Sequence, residues 1–238
     1  MTKVVLANTE RLDLVSSLAQ VNVLDSPSDL SATDETVSVL SDVSDHLSVL
    51  NDDKNEVYIP STLLTENHIT QENVHVYFDL ENFPFYQRAK DIIEQEDKPK
   101  GVFRYRRMVT KDEKSSTLIG DLYVLSSLLG DAEDIKIKQT DQSTIPAHTI
   151  ITVNFGGGTM AHIEYTVSDR ERIELEWSGV KNIIEFDSDE MSPIQPIDRT
   201  KLPLLYTVDS ILETAHQVDQ ELLEQLNNFT ELVNGGGN

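Results

Sequence analysis

Three arginines within four positions, Arg104, Arg106 and Arg107, form the basic cluster of an otherwise acidic chain. In an extended strand Arg104 and Arg106 share one face while Phe103 and Tyr105 point the other way. Such a pair could hold an anionic ligand; its plainer reading is a solvated or interface strand face whose cations meet the surrounding acids. Asp79 and Glu81 flank Leu80 in a strand-like run, which would set two carboxylates on one face at a strand end. A carboxylate pair at the mouth of a parallel sheet could do acid and base work, and its plainer reading is a solvated loop. Six histidines, His46, His68, His75, His148, His162 and His216, form no HExxH and no pair four residues apart, so no local metal motif is expected. Cysteine is absent, which removes disulfides, thiolate nucleophiles and Cys-ligated metal centres.

Glycine placement narrows the chemistry further. All ten glycines lie at or after Gly101. A phosphate-cradling turn needs glycine where the backbone takes positive φ or must approach a pyrophosphate without a Cβ in the way. Neither GxGxxG nor a Walker loop can therefore exist in the first hundred residues. Gly156-Gly157-Gly158 is no substitute, because strand-like TMAHIEYT follows it rather than a helix. It is expected to turn a hairpin.

Among the 238 residues, 42 Asp+Glu stand against 19 Lys+Arg, a formal charge of −23. The acid excess is even, with 19 acids to 7 bases in residues 1–100 and 23 to 12 in the remainder. Nucleic acid is accordingly an unsuitable partner. No apolar run approaches the roughly 18 residues of a membrane span, and the polar start MTKVVLANTE carries no signal pattern. A cytoplasmic location without membrane attachment is expected.

The elements that must position these residues follow from periodicity. Apolar runs at 3–7, 21–24, 56–60 and 73–78 read as strands, with helical spacing at 10–20, in weak form within 39–50, and at 85–95. Strands alternating with helices imply a parallel sheet. From residue 102 a strand leads to a helix at 115–129 closed by Gly130, then to strands at 134–140, 147–155, 159–167, 170–177 and 180–186, read as an antiparallel meander. Residues 204–233 read as one long helical segment. The fold class expected is α/β: a reduced Rossmann-like parallel-sheet domain, residues 1–98, plus an α/β domain, residues 99–238, with an open, mainly antiparallel sheet.

In this order the elements resemble the Gfo/Idh/MocA oxidoreductases. NEVYIPS (55–61), NVHVYFDLENFPFYQRAKDII (73–93), LIGDLYVLSSLLG (118–130) and ELLEQLNNFTELVNG (221–235) are similar to four family passages in the same sequence. The resemblance implies an NAD(P)-dependent oxidoreductase acting on a sugar-like hydroxyl. The departures fall on the residues that would do this work. Ala7-Asn8-Thr9-Glu10 stands at the glycine fingerprint, and Leu80 stands where the family has a lysine that contacts the cofactor and the reacting hydroxyl. Ser116 and Gly120 replace the helix Asp and His, and Tyr123 falls at the second acid. The sequence also ends about where the family adds another helix, so truncation is expected. The expectation is a divergent homologue without cofactor or dehydrogenase activity, acting through a ligand of unknown identity or through association, with no catalytic, cofactor or metal residues and with Asp79, Glu81, Arg104, Arg106 and Tyr123 as cleft or interface candidates. NAD or NADP belongs to the alternative of an active enzyme. The resemblance further implies a homodimer through the C-terminal sheet, its acids paired with Arg104, Arg106 or Arg172 across a two-fold axis.

Overall fold

The computed structural model describes residues 2–6, 12–13, 19–23, 37–40, 55–95, 99–110, 114–140, 144–189 and 204–235. The chain is mixed α/β and divides into two compact units, residues 1–84 with 205–225, and residues 85–204 with 226–238. The units are therefore not two consecutive halves meeting at residue 98. Helix Pro84–Ile93 falls almost wholly in the second, and a late segment returns to the first.

In the first unit, β1 (Thr2–Leu6), β3 (Ala19–Val23), β4 (Val37–Leu40), β5 (Glu56–Pro60) and β6 (Val74–Tyr77) form a parallel sheet in the order β6-β5-β4-β1-β3. Val57 and Ile59 of β5 and Val74 and Val76 of β6, paired across the two strands on one face, are buried. The expected helix at 10–20 is replaced at its ends by the two-residue strand β2 (Leu12–Asp13) and by β3; residues 14–18 lie outside the described residues. Val39 and Leu40 belong to a strand rather than a helix, since Val37-Ser38-Val39 alternates with period two; Val43, Leu47 and Leu50 lie outside the described residues. After β6 come a single helical turn, α1 (Asp79–Asn82), and α2 (Pro84–Ile93).

The second unit is built on β7 (Gly101–Val109), α3 (Lys114–Leu129), β8 (Asp134–Gln139), β9 (His148–Asn154), β10 (Thr159–Val167), β11 (Arg172–Gly179) and β12 (Ile183–Asp187). The sheet order is β12-β11-β7-β10-β9-β8. It is not a continuous meander, because β7 inserts between β10 and β11 and runs parallel to β10, every other pair being antiparallel. Gly156, Gly157 and Gly158 all take positive φ and close the β9–β10 hairpin, with the Thr159 N–H donating to Gly156 O at 2.9 Å. On one face Phe103, Tyr105, Ile151, Val153, Ala161, Ile163, Tyr165, Ile173, Leu175 and Trp177 are buried and make the core with α3.

The segment expected as one long helix is broken by two N-caps. β13 (Tyr206–Thr207) pairs with β2, and the Thr207 hydroxyl accepts the Ser210 N–H at 3.1 Å to start α4 (Val208–Thr214). β14 (His216–Gln217) then adds antiparallel to the β6 edge, and Asp219 accepts the Leu222 N–H at 2.8 Å at the start of α5 (Gln220–Gly235). Among the described residues no helix is long and apolar enough to cross a membrane.

Candidate functional site

Strand β1 sits where the sheet order of the first unit reverses, the place where open parallel sheets bind ligands at their carboxyl ends. Residues 7–10, which follow it, lie outside the described residues. The carboxyl end of β6 is described, and it departs from the strand-like run expected at 79–81. Asp79 and Glu81 lie on the α1 turn, where residues two apart point about 200° from each other. They are no carboxylate pair and take separate partners: the Tyr206 hydroxyl donates to Asp79 at 2.9 Å, and Glu81 Oε2 lies 2.7 Å from His216 Nε2. Tyr206 packs edge-on against Phe83 and Tyr77, and His216 against Phe78. Between the two acids, Leu80 is 0% exposed. Asn82, also 0% exposed, donates to Phe78 O at 2.9 Å and accepts the Ser210 hydroxyl at 2.6 Å and the Thr214 hydroxyl at 3.1 Å, tying α1 to α4.

In the second unit, α3 carries Ser116, Gly120 and Tyr123. Gly120 is buried, and Tyr123 is half-buried, its carbonyl accepting the Ser127 hydroxyl at 3.0 Å. The strongest polar constellation of this helix is centred on Asp121, which sequence reasoning passed over. Its carboxylate accepts Arg107 Nη1 at 3.0 Å on both oxygens, the Tyr105 hydroxyl at 3.0 Å and the Tyr165 hydroxyl at 2.7 Å. Glu171 holds the other end of the guanidinium at 2.6 Å. Burial pushes the Asp121 carboxyl up from the usual range against the pull of Arg107 and the two tyrosine donors, and it pushes both phenols well above 10. Arg107 is thus no member of a solvated basic strip. It lies in phase with Phe103, Tyr105 and Val109, and that phase was the signal available in the sequence.

Arg104 and Arg106 lie on the opposite, open face, as their spacing predicts. Their carboxylates come from the same sheet: Arg104 pairs with Glu176, and Arg106 lies 3.3 Å from both Glu164 and Glu174. The pairing expected across a two-fold axis is made within the chain. Arg172 likewise grips Asp187 through Nε at 3.1 Å and through Nη2. Within the second unit the candidates divide, Arg104 and Arg106 lying on the open face of the sheet and Tyr123 on the helix packed on the other face; Asp79 and Glu81 belong to the first unit.

Among the described residues no group of three or more His, Asp or Glu is placed to hold a metal ion. No glycine in residues 1–100 is available to turn beneath a pyrophosphate, and Leu80 is wholly buried.

No family model matches the chain, and no curated protein sequence matches it. Solved structures do. A "probable dehydrogenase" from Thermotoga maritima is 14% identical over 90% of this chain and 82% of that one, with a TM-score of 0.61. The myo-inositol dehydrogenase of Lactobacillus casei, solved with NAD(H) and myo-inositol, is 14% identical over 100% of this chain and 94% of that one, with a TM-score of 0.58. This chain has their fold. UDP-N-acetylglucosamine 3-dehydrogenase GnnA from Acidithiobacillus ferrooxidans is also similar, at 14% identity over 91% of this chain and 83% of that one, with a TM-score of 0.53. These neighbours are dehydrogenases of the Gfo/Idh/MocA type, the kind the sequence resembles.

Proposed function

We propose that this protein is a divergent homologue on the Gfo/Idh/MocA dehydrogenase scaffold that binds no nicotinamide cofactor, catalyses no dehydrogenation and acts through association or ligand binding. The observation that carries this reading is Leu80. It stands at the position matched to the family's lysine, has no proton to give, and is wholly buried, so no small adjustment of its side chain restores a polar group to a cleft. The lack of glycine in residues 1–100 supports it independently. The association surface is the open face of the second sheet, through which two copies form a homodimer; Met160 and Ile183, exposed on that face, favour its being covered.

The inositol and sugar-nucleotide dehydrogenases among the fold neighbours favour a second reading, an active NAD(P)-dependent oxidoreductase on a sugar-like hydroxyl. Calorimetry with NAD and NADP separates the two. No saturable heat is expected; binding tighter than about 100 μM, equivalent to roughly 5.5 kcal/mol, overturns the first reading.

A further inference from the structure

Helix α5 carries Asn228, Glu231, Leu232 and Gly235 three and four residues apart, which sets them in one stripe along its surface. From Leu226 onward the helix belongs with β8 to the second unit, and the Gln139 side chain donates to Val233 O at 3.0 Å, holding it against that strand. On β8, Ile135 and Ile137 stand opposite the buried Val153 and Ile151 and so lie on the core side of the sheet, yet both are only half-buried. Between the two isoleucines and the α5 stripe runs a groove of about 550 Å³, a volume that suits a small molecule.

The groove is apolar on its walls and acidic at its rim. Ile135, Ile137 and Leu232, itself 43% exposed, supply aliphatic surface. Its polar side chains are Asn228 and Glu231, and among the described residues neither has a hydrogen-bond or ion-pair partner. Glu231 stands close to the end of a helix that has no Lys, Arg or His from Gln220 to Gly235, where outward-facing carbonyls already make the terminus negative and a carboxylate is unfavourable. The lysines of β8 do not offset it. Lys136 and Lys138 belong to the opposite face of the sheet, where Lys136 pairs with Asp134 at 3.1 Å.

We infer that this groove binds a small organic cation, an ammonium or guanidinium group on an aliphatic body. The body lies along Ile135, Ile137 and Leu232, and the head group takes the Glu231 carboxylate and the Asn228 amide oxygen at the negative end of α5. A neutral molecule of the same length meets the same walls without the charge, and an anion is repelled at the rim. The inference gives a ligand class to the ligand-binding arm of the reading above; its test uses no nicotinamide cofactor, so the two can fail separately.

The test is a titration of the intact chain with n-hexylammonium at low salt, followed by backbone amide NMR shifts, with 1-hexanol and hexanoate as the neutral and anionic counterparts. Saturable shifts confined to residues 135–139 and 226–235 are expected, with hexanol binding at least about twofold more weakly and hexanoate not binding. Glu231→Gln should weaken the amine roughly two- to fivefold, the yield of an exposed ion pair, and leave hexanol unchanged. Leu232→Ser, at an exposed helix position, should weaken amine and alcohol alike, and added salt should weaken the amine alone. Glu72→Gln, at an exposed acid of the first unit, should alter neither. Circular dichroism confirms that each variant folds. Shifts scattered over the acidic surface, hexanol binding as tightly as the amine, or a loss of amine affinity no greater with Glu231→Gln than with Glu72→Gln overturns the inference.

Discussion

Arg107 Nη1 donates to both carboxylate oxygens of Asp121 at 3.0 Å, with the two side chains only 1% and 4% exposed. Breaking one side of such a pair leaves the other charge buried. Asp121→Ala leaves the buried guanidinium with Glu171 as its carboxylate and takes the acceptor from two phenolic hydroxyls at once, and is expected to cost about 3–5 kcal/mol in urea unfolding. Arg107→Met combined with Asp121→Leu removes both charges together, and should cost less than Asp121→Ala alone. The reverse order would show that the pair does not act as a unit.

Tyr105 and Tyr165 share that carboxylate, and burial, with the Asp121 charge beside them, raises both phenols well above 10. A group whose pKa is raised on folding stabilises the fold below its unfolded value and loses that contribution as pH climbs through the folded one. Of seven tyrosines, two should therefore resist ionisation in an ultraviolet titration until the protein unfolds in alkali. Smooth ionisation of all seven in the native state would contradict this.

The opposite sign applies at Asp187. Burial pushes its carboxyl up, but the two-point grip of Arg172 and the Asp189 N–H outweigh this and hold it below the usual range. That contribution is present above the unfolded value near 4 and is lost as pH falls through the lower folded one. On a half-exposed sheet face it amounts to about 1 kcal/mol or less. Asp187→Asn should accordingly flatten the acid limb of the stability curve and leave its neutral plateau lowered by that small amount.

Placing at position 80 the lysine carried by the family the sequence resembles gives a direct check on the proposal that no dehydrogenase site operates here. Leu80→Lys would bury an ammonium in the first unit's core, so a loss of about 4 kcal/mol in stability is expected, with no turnover in a cofactor-reduction assay. A stable, active variant would show that the position still opens onto a cleft.

Close backbone approach makes the start of β7 sensitive in another way. A Cβ on Gly101 would lie 2.5 Å from Ser178 O and 2.8 Å from Gly179 Cα, both backbone atoms of β11 with little room to yield. Gly101→Ala is expected to lower stability by about 1–3 kcal/mol in thermal unfolding, whereas Gly157→Ala, with no neighbour near its Cβ, should show only the smaller strain of its positive φ.

What the sequence determined by itself was periodicity. Alternation placed β10 at its observed bounds and set Arg104 and Arg106 on the open face. The glycine triplet marked its hairpin, because only that residue type turns there without strain. The helix read at 115–129 and closed by Gly130 is α3, whose Leu118, Leu122 and Leu125 are buried. Tertiary structure decided what local pattern does not encode. Leu12 and Tyr206 carry helical spacing yet lie in strands, since each finds its strand partner in the other's distant segment. The insertion of β7 between β10 and β11 likewise depends on pairings some 60 residues apart, which no window of sequence contains. Asp121 is the clearest case. As a lone acid on an apolar helix it has no meaning until Arg107, Tyr105 and Tyr165 are brought around it, and a buried carboxylate is tolerable only where the fold gathers all of its donors.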